Sequence, residues 1–152
     1  MQIYLDDLEP GQVYRTEASE AVDADSIKAF ASYFDPQPFH LDENAAVDTF
    51  FGGLAASGWH TAALTMRLII RALPLAGGVI GAGADEFRWS RPVRPADVLQ
   101  VECEVLDVRP SRSRPEQGTV RVRCITSNQK GEPVQSMIAL LMAFRRASPA
   151  VA

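Results

Sequence analysis

The chain predicts an α+β domain in which an antiparallel sheet wraps around one long central helix. Three observations lead there. From Leu54 to Leu73 there is no proline, and apolar or small side chains stand on nearly all sides, the pattern of a helix with most of its surface buried. After Gly77-Gly78 the period changes from helical to alternating, in four segments separated by turn residues. Helix and strands both have apolar surface to hide and little else to hide it against, so the sheet has to close over the helix. At 152 residues, with no repeat, linker or low-complexity stretch, the sequence fits one domain over 1–147 followed by a disordered tail over 148–152.

Each element follows from local chemistry. The turn Glu9-Pro10-Gly11-Gln12 leads into Val13 and Tyr14 among alternating polar residues, an edge strand. Asp23 to Ser26 supplies N-cap chemistry, and Ile27, Phe30, Ala31 and Phe34 follow at helical spacing, giving a first helix one apolar face. Asp35-Pro36 ends it, because a proline pushes the residue before it out of the α region. Pro36 and Pro38 then hold the next residues extended, in a stiff loop that aims its side chains. Asp42 to Ala46 makes a short helical turn whose acids suit the first turn, and Phe50-Phe51-Gly52-Gly53 breaks it. The long helix follows and stops at Pro74.

Beyond it, Val79 to Trp89 is β-like and Arg91 to Asp97 is a turn. Leu99, Val101, Cys103 and Val105 alternate with polar residues, as do Val120, Val122 and Cys124 across the hairpin loop from Pro110 to Gln117. A further turn at Asn128 to Gly131 precedes Met137 to Phe144, continuously apolar as for a strand covered on both faces.

The bulk properties exclude several classes. A formal net charge of -4 leaves no basic footprint for nucleic acid. No apolar run reaches the length of a membrane span, and the first residues lack the pattern of a signal peptide, so a soluble cytoplasmic protein is expected. The two cysteines, Cys103 and Cys124, suit buried free thiols in that compartment better than a disulfide. No Cys/His cluster has zinc spacing and no glycine-rich phosphate loop occurs, so neither a metal nor a bound cofactor is expected.

The candidate chemistry lies between 35 and 61. Asp35 offers an acid and His40 an imidazole five residues on, and Gly52-Gly53 stands at the mouth of the long helix. An acid and a base beside a helix N-terminus are what polarising a carbonyl and moving a proton next to it require. Taken singly, Asp35 also fits a turn residue, His40 a structural histidine, and the glycines a turn. His60, within the helix, reads as packed, and Trp59 as a core or dimer contact. Arg88, Arg91 and Arg94 form a local basic cluster that is either a solvated turn or a phosphate contact.

Asp35-Pro36-Gln37-Pro38-Phe39-His40-Leu41-Asp42, with Phe51 to Gly58 after it and Phe87 to Val93 later, resembles the MaoC-like dehydratases. These are also called (R)-specific enoyl-CoA hydratases and have the hot-dog fold; the similarity covers nearly the whole chain. The resemblance implies that Asp35 and His40 are the catalytic pair, holding a water that adds to or leaves the β-carbon of a coenzyme A thioester. It implies that the Gly53 N–H helps to receive the thioester oxygen, and that Thr61 stands where the family often has a serine supporting the aspartate. Gln37, where asparagine is usual, joins the substrate-binding set, and the arginine cluster would meet the phosphates of coenzyme A. Other departures are Phe34, where glycine is common, and Ala96-Asp97 in place of Gly-Asp. The expected reaction is reversible hydration of a 2-enoyl-CoA to an (R)-3-hydroxyacyl-CoA in a homodimer or larger homo-oligomer, with coenzyme A entering only as part of the substrate. A hot-dog acyl-CoA thioesterase and a non-catalytic acyl-CoA-binding subunit are the alternatives.

Overall fold

The computed structural model describes residues 1–17 and 20–147; the tail expected over 148–152 lies outside them. In chain order come β1 (Val13–Arg15), β2 (Glu20–Ala21), α1 (Ala24–Phe34), α2 (Pro38–Leu41), α3 (Glu43–Val47), α4 (Gly58–Ala72), β3 (Ile80–Trp89), β4 (Val98–Pro110), β5 (Gln117–Ser127) and β6 (Pro133–Phe144). The sheet runs β1-β4-β5-β6-β3, with β2 pairing β4 off that path, and its pairings are antiparallel. This is the expected sheet around one long helix.

Alternation decides which face is wet. Leu99, Val101, Cys103 and Val105 of β4 are buried with Val120, Val122 and Cys124 of β5. Against that face α4 lays Leu64, Leu68 and Ile69, and α1 adds Ile27. The two cysteines are cross-strand partners with free thiols, 3.6 Å apart in this core. One polar link crosses from helix to sheet, the buried hydroxyls of Thr65 and Thr126 at 2.7 Å. Outside, Glu20 on β2 pairs with both Arg67 and Arg71, one helical turn apart, which ties β2 to α4.

Several boundaries differ from expectation, each for a local reason. The long helix begins at Gly58 rather than Leu54, because Ser57 is its N-cap and 54–56 form a buried extended link. There the Ala55 N–H donates to Phe39 O and the Ala56 N–H to Val93 O, which satisfies the backbone without a helix. The helix is also less enclosed than its composition implies: Trp59 is 61% exposed and Ile70 is exposed with it. Phe34, expected on the core face of α1, is 72% exposed. Pro38 does not continue an extended loop but opens α2 at its first position, where a missing N–H costs nothing. Finally, β6 starts at Pro133, earlier than its apolar run, and Leu140 and Met142 stay half-buried on its outer side.

Candidate active site

Three short elements aim the acid and the ring. Asp35 caps α1 and its N–H donates to Ala31 O at 2.9 Å. The Gln37 N–H donates to Asp35 O at 2.8 Å and the His40 N–H to Gln37 O at 2.9 Å, folding the chain back on itself. Asp42 caps α3 by accepting from the Ala45 N–H at 2.8 Å, and Lys28 of α1 pairs with Glu43 of α3 at 2.6 Å. The loop is therefore held at both ends.

His40 is 4% exposed, the most enclosed charged or titratable side chain of this loop. Its Nδ1 meets the carbonyl oxygen of Ala55 at 2.6 Å, and its Nε2 stands 3.2 Å from Asp35 Oδ2. The edge of Phe39 presses on the ring, 4.6 Å between centroids at 88°. Burial by itself would push the Asp35 carboxyl up. Hydrogen bonds from the Gln37 amide and the Ser57 hydroxyl, with the His40 ring beside them, outweigh it and hold the carboxyl below the usual range.

The start of α4 carries a backbone donor. Gly58 is its first helical residue, and the Gly58 N–H has no acceptor among the described residues, as the first turn of a helix requires. Ser57 is fully buried and its hydroxyl accepts from the Trp59 N–H at 3.2 Å. Gly53 lies five residues before the helix, and its carbonyl accepts from Arg94 at 2.9 Å. Thr61 directs its hydroxyl to Ser57 O at 3.5 Å, and the hydroxyl that supports Asp35 belongs to Ser57.

A cavity of about 390 Å³ opens here, with His40, Phe51, Gly58, Thr61, Trp89 and Arg91 among its walls. The arginine cluster divides. Arg94 donates to the backbone carbonyls of Phe51, Gly53 and Leu54 and so is committed to the fold. Arg91 reaches the cavity wall with a loose 3.5 Å contact to Glu132, and Arg88 is exposed on β3. Gln37 is exposed and its amide donates to Asp35 Oδ1, so it acts on the carboxylate and is not a cavity wall. His60 packs as expected, stacked on Phe30 at 4.8 Å and 7°, with its Nδ1 unpartnered among the described residues.

Ser57, beside Asp35, and Gly58 and Trp89, on the cavity, are residues of this candidate site that pattern reading did not single out. Ser57 was the available signal, an N-cap residue type directly before the periodic run. No helix among the described residues is long and apolar enough to cross a membrane.

The family model described as MaoC like domain matches residues 7–128. An uncharacterised protein of Bacillus subtilis, YdeM, is 38% identical over 127 residues, 83% of this chain and 88% of that one. The 3-hydroxybutyryl-CoA dehydratase of Methylorubrum extorquens is 34% identical over 115 residues, 74% of this chain and 69% of that one. The crystal structure of a MaoC-like dehydratase from Rhodospirillum rubrum is similar at a TM-score of 0.91 and 53% identity, covering 96% of this chain and 99% of the other.

Proposed function

The chain belongs to the MaoC-like dehydratase family with its hot-dog fold, and from that premise we propose that it catalyses reversible hydration of a 2-enoyl-CoA to an (R)-3-hydroxyacyl-CoA. The observation that carries this reading is that His40 and Gly58, the first residue of α4, line one cavity, with the Asp35 carboxylate 3.2 Å from the His40 ring.

The thioester oxygen accepts from the Gly58 N–H. The dipole of α4 favours the negative charge that grows there as the double bond is polarised. Because the carbonyl of Ala55 can only accept, the His40 Nδ1 donates to it, which leaves Nε2 as the ring nitrogen facing the Asp35 carboxylate. At the cavity the ring and the carboxylate together hold one water. As its oxygen bonds to the β-carbon, the π pair moves to the thioester enolate and one water proton passes to the pair. That proton then goes to the α-carbon, and dehydration runs the same steps backwards. Ser57 and Gln37 keep the carboxylate ionised for this work.

Arg91, at the cavity, and Arg88 serve the phosphates of coenzyme A in this reading. The working form is a homodimer: β3 is an edge strand exposed along most of its length, a surface suited to pairing with a second copy. A monomer in sedimentation would contradict that part. The reaction is tested with a panel of enoyl-CoA thioesters, following loss of the conjugated-thioester absorbance and release of free thiol together. Hydration consumes the absorbance and leaves the thioester intact; thiol release would instead make the protein a thioesterase.

A further inference from the structure

Trp89 lines the same cavity as His40 and Gly58. A Cβ built on Gly58 would lie 2.6 to 2.8 Å from three indole atoms of Trp89, so the ring lies directly against the backbone that carries the free N–H. No residue larger than glycine fits at 58 while the indole stays. Although Trp89 is 44% exposed, its indole is tied on two sides. Its Nε1 donates to Gln135 Oε1 at 2.9 Å, and Gln135 is 1% exposed on the neighbouring strand β6. Trp59 and Phe87 brace it edge-to-face, each with ring centroids 5.1 Å away, at 84° and 72°.

Gly58 and Trp89 line the same cavity, so a thioester whose oxygen accepts from the Gly58 N–H lies beside this ring. The carbons that follow meet a wall that cannot swing aside without breaking the bond to Gln135 and two aromatic contacts. We propose that Trp89 is the residue limiting acyl length, and that the substrate class is short-chain enoyl-CoA, crotonyl-CoA in preference to trans-2-octenoyl-CoA. This rests on the hydratase reading above and goes beyond it in naming the substrate class and the residue that selects it.

The test compares kcat/KM for hydration of the four-carbon and eight-carbon thioesters by the wild-type protein, Trp89→Phe and Trp89→Ala. The wild-type protein is expected to favour the four-carbon substrate by about tenfold or more, and Trp89→Ala to erase most of that preference. Trp89→Phe keeps the edge-to-face packing with a smaller ring, so it reports an intermediate ratio even if the alanine variant does not fold. Crotonyl-CoA turnover with a ratio that neither variant moves, or wild-type turnover of both lengths at equal rates, overturns this inference and leaves the hydratase reading standing. A wild-type protein that hydrates neither thioester overturns both.

Discussion

His40 faces Asp35 across 3.2 Å, Nε2 to Oδ2, while the opposite ring nitrogen is fixed on the Ala55 carbonyl at 2.6 Å. The orientation of the ring is therefore set by the backbone, and the charge of the carboxylate by its neighbours. Desolvation raises the Asp35 pKa, and Gln37, Ser57 and His40 together lower it further than that. Removing the Gln37 donor shifts the balance back towards desolvation. Gln37→Ala is expected to move the acid limb of the kcat/KM profile to higher pH without abolishing turnover, as read from a pH-rate series. An unmoved limb would mean that Gln37 does not hold the carboxylate down.

Arg94 and Arg91 should separate in experiment. Arg94 gives charge-assisted hydrogen bonds to three carbonyls of 51–54, and leaving those acceptors without a donor costs about 2 kcal/mol or more. Arg94→Ala should lower the denaturation midpoint clearly. Arg91→Ala, which removes only a 3.5 Å surface contact, should leave the midpoint nearly unchanged and raise KM for the coenzyme A substrate. Denaturant titration and steady-state kinetics on both variants check the pair.

His60 carries a pH-dependent cost. Burial lowers its pKa, Asp23 opposes this and Arg67 adds to it. The folded protein thus keeps the ring neutral where the unfolded chain protonates it, at about pH 6.5 and below. Stability from this site is complete above that pH and falls as the pH drops towards the folded value. His60→Phe preserves the stack on Phe30 and removes the unpartnered Nδ1. It is expected to raise Tm, with the larger gain on the acid side of pH 6.5, measured by thermal melts across pH.

Ala96 holds φ at 71°, in the left-handed region that favours glycine. The turn keeps it there because the Ala96 N–H donates to Val22 O at 2.7 Å, while Asp97 accepts from the Arg94 N–H and the Gln129 amide. Ala96→Gly relieves a strain of about 1 kcal/mol and should raise Tm by a few degrees. A lower Tm would show that the turn is not strained.

Much of the fold was legible because its signals are periodic. Val101, Cys103 and Val105 alternate with polar residues since one face of β4 is dry, and Pro74 and Pro110 mark real ends. The start of α4 was hidden because Leu54, Ala55 and Ala56 are apolar for a different reason: they are a buried extended link whose hydrogen bonds go to Phe39 and Val93. That four-residue difference is why the proposed oxyanion donor is Gly58, and why the hydroxyl near Asp35 is that of Ser57 where Thr61 was expected. The acid and the ring were legible because Pro36 and Pro38 punctuate the segment that holds them. The role of Arg94 was not, since its acceptors lie about forty residues away and are backbone atoms with no sequence signature.

The most direct measurement is crotonyl-CoA hydration by Asp35→Asn and His40→Ala beside the wild-type protein, with melting curves on the same samples. Each variant is expected to lose about a hundred- to ten-thousand-fold in kcat/KM and to retain a cooperative melt. Near wild-type hydration by either variant would contradict the account.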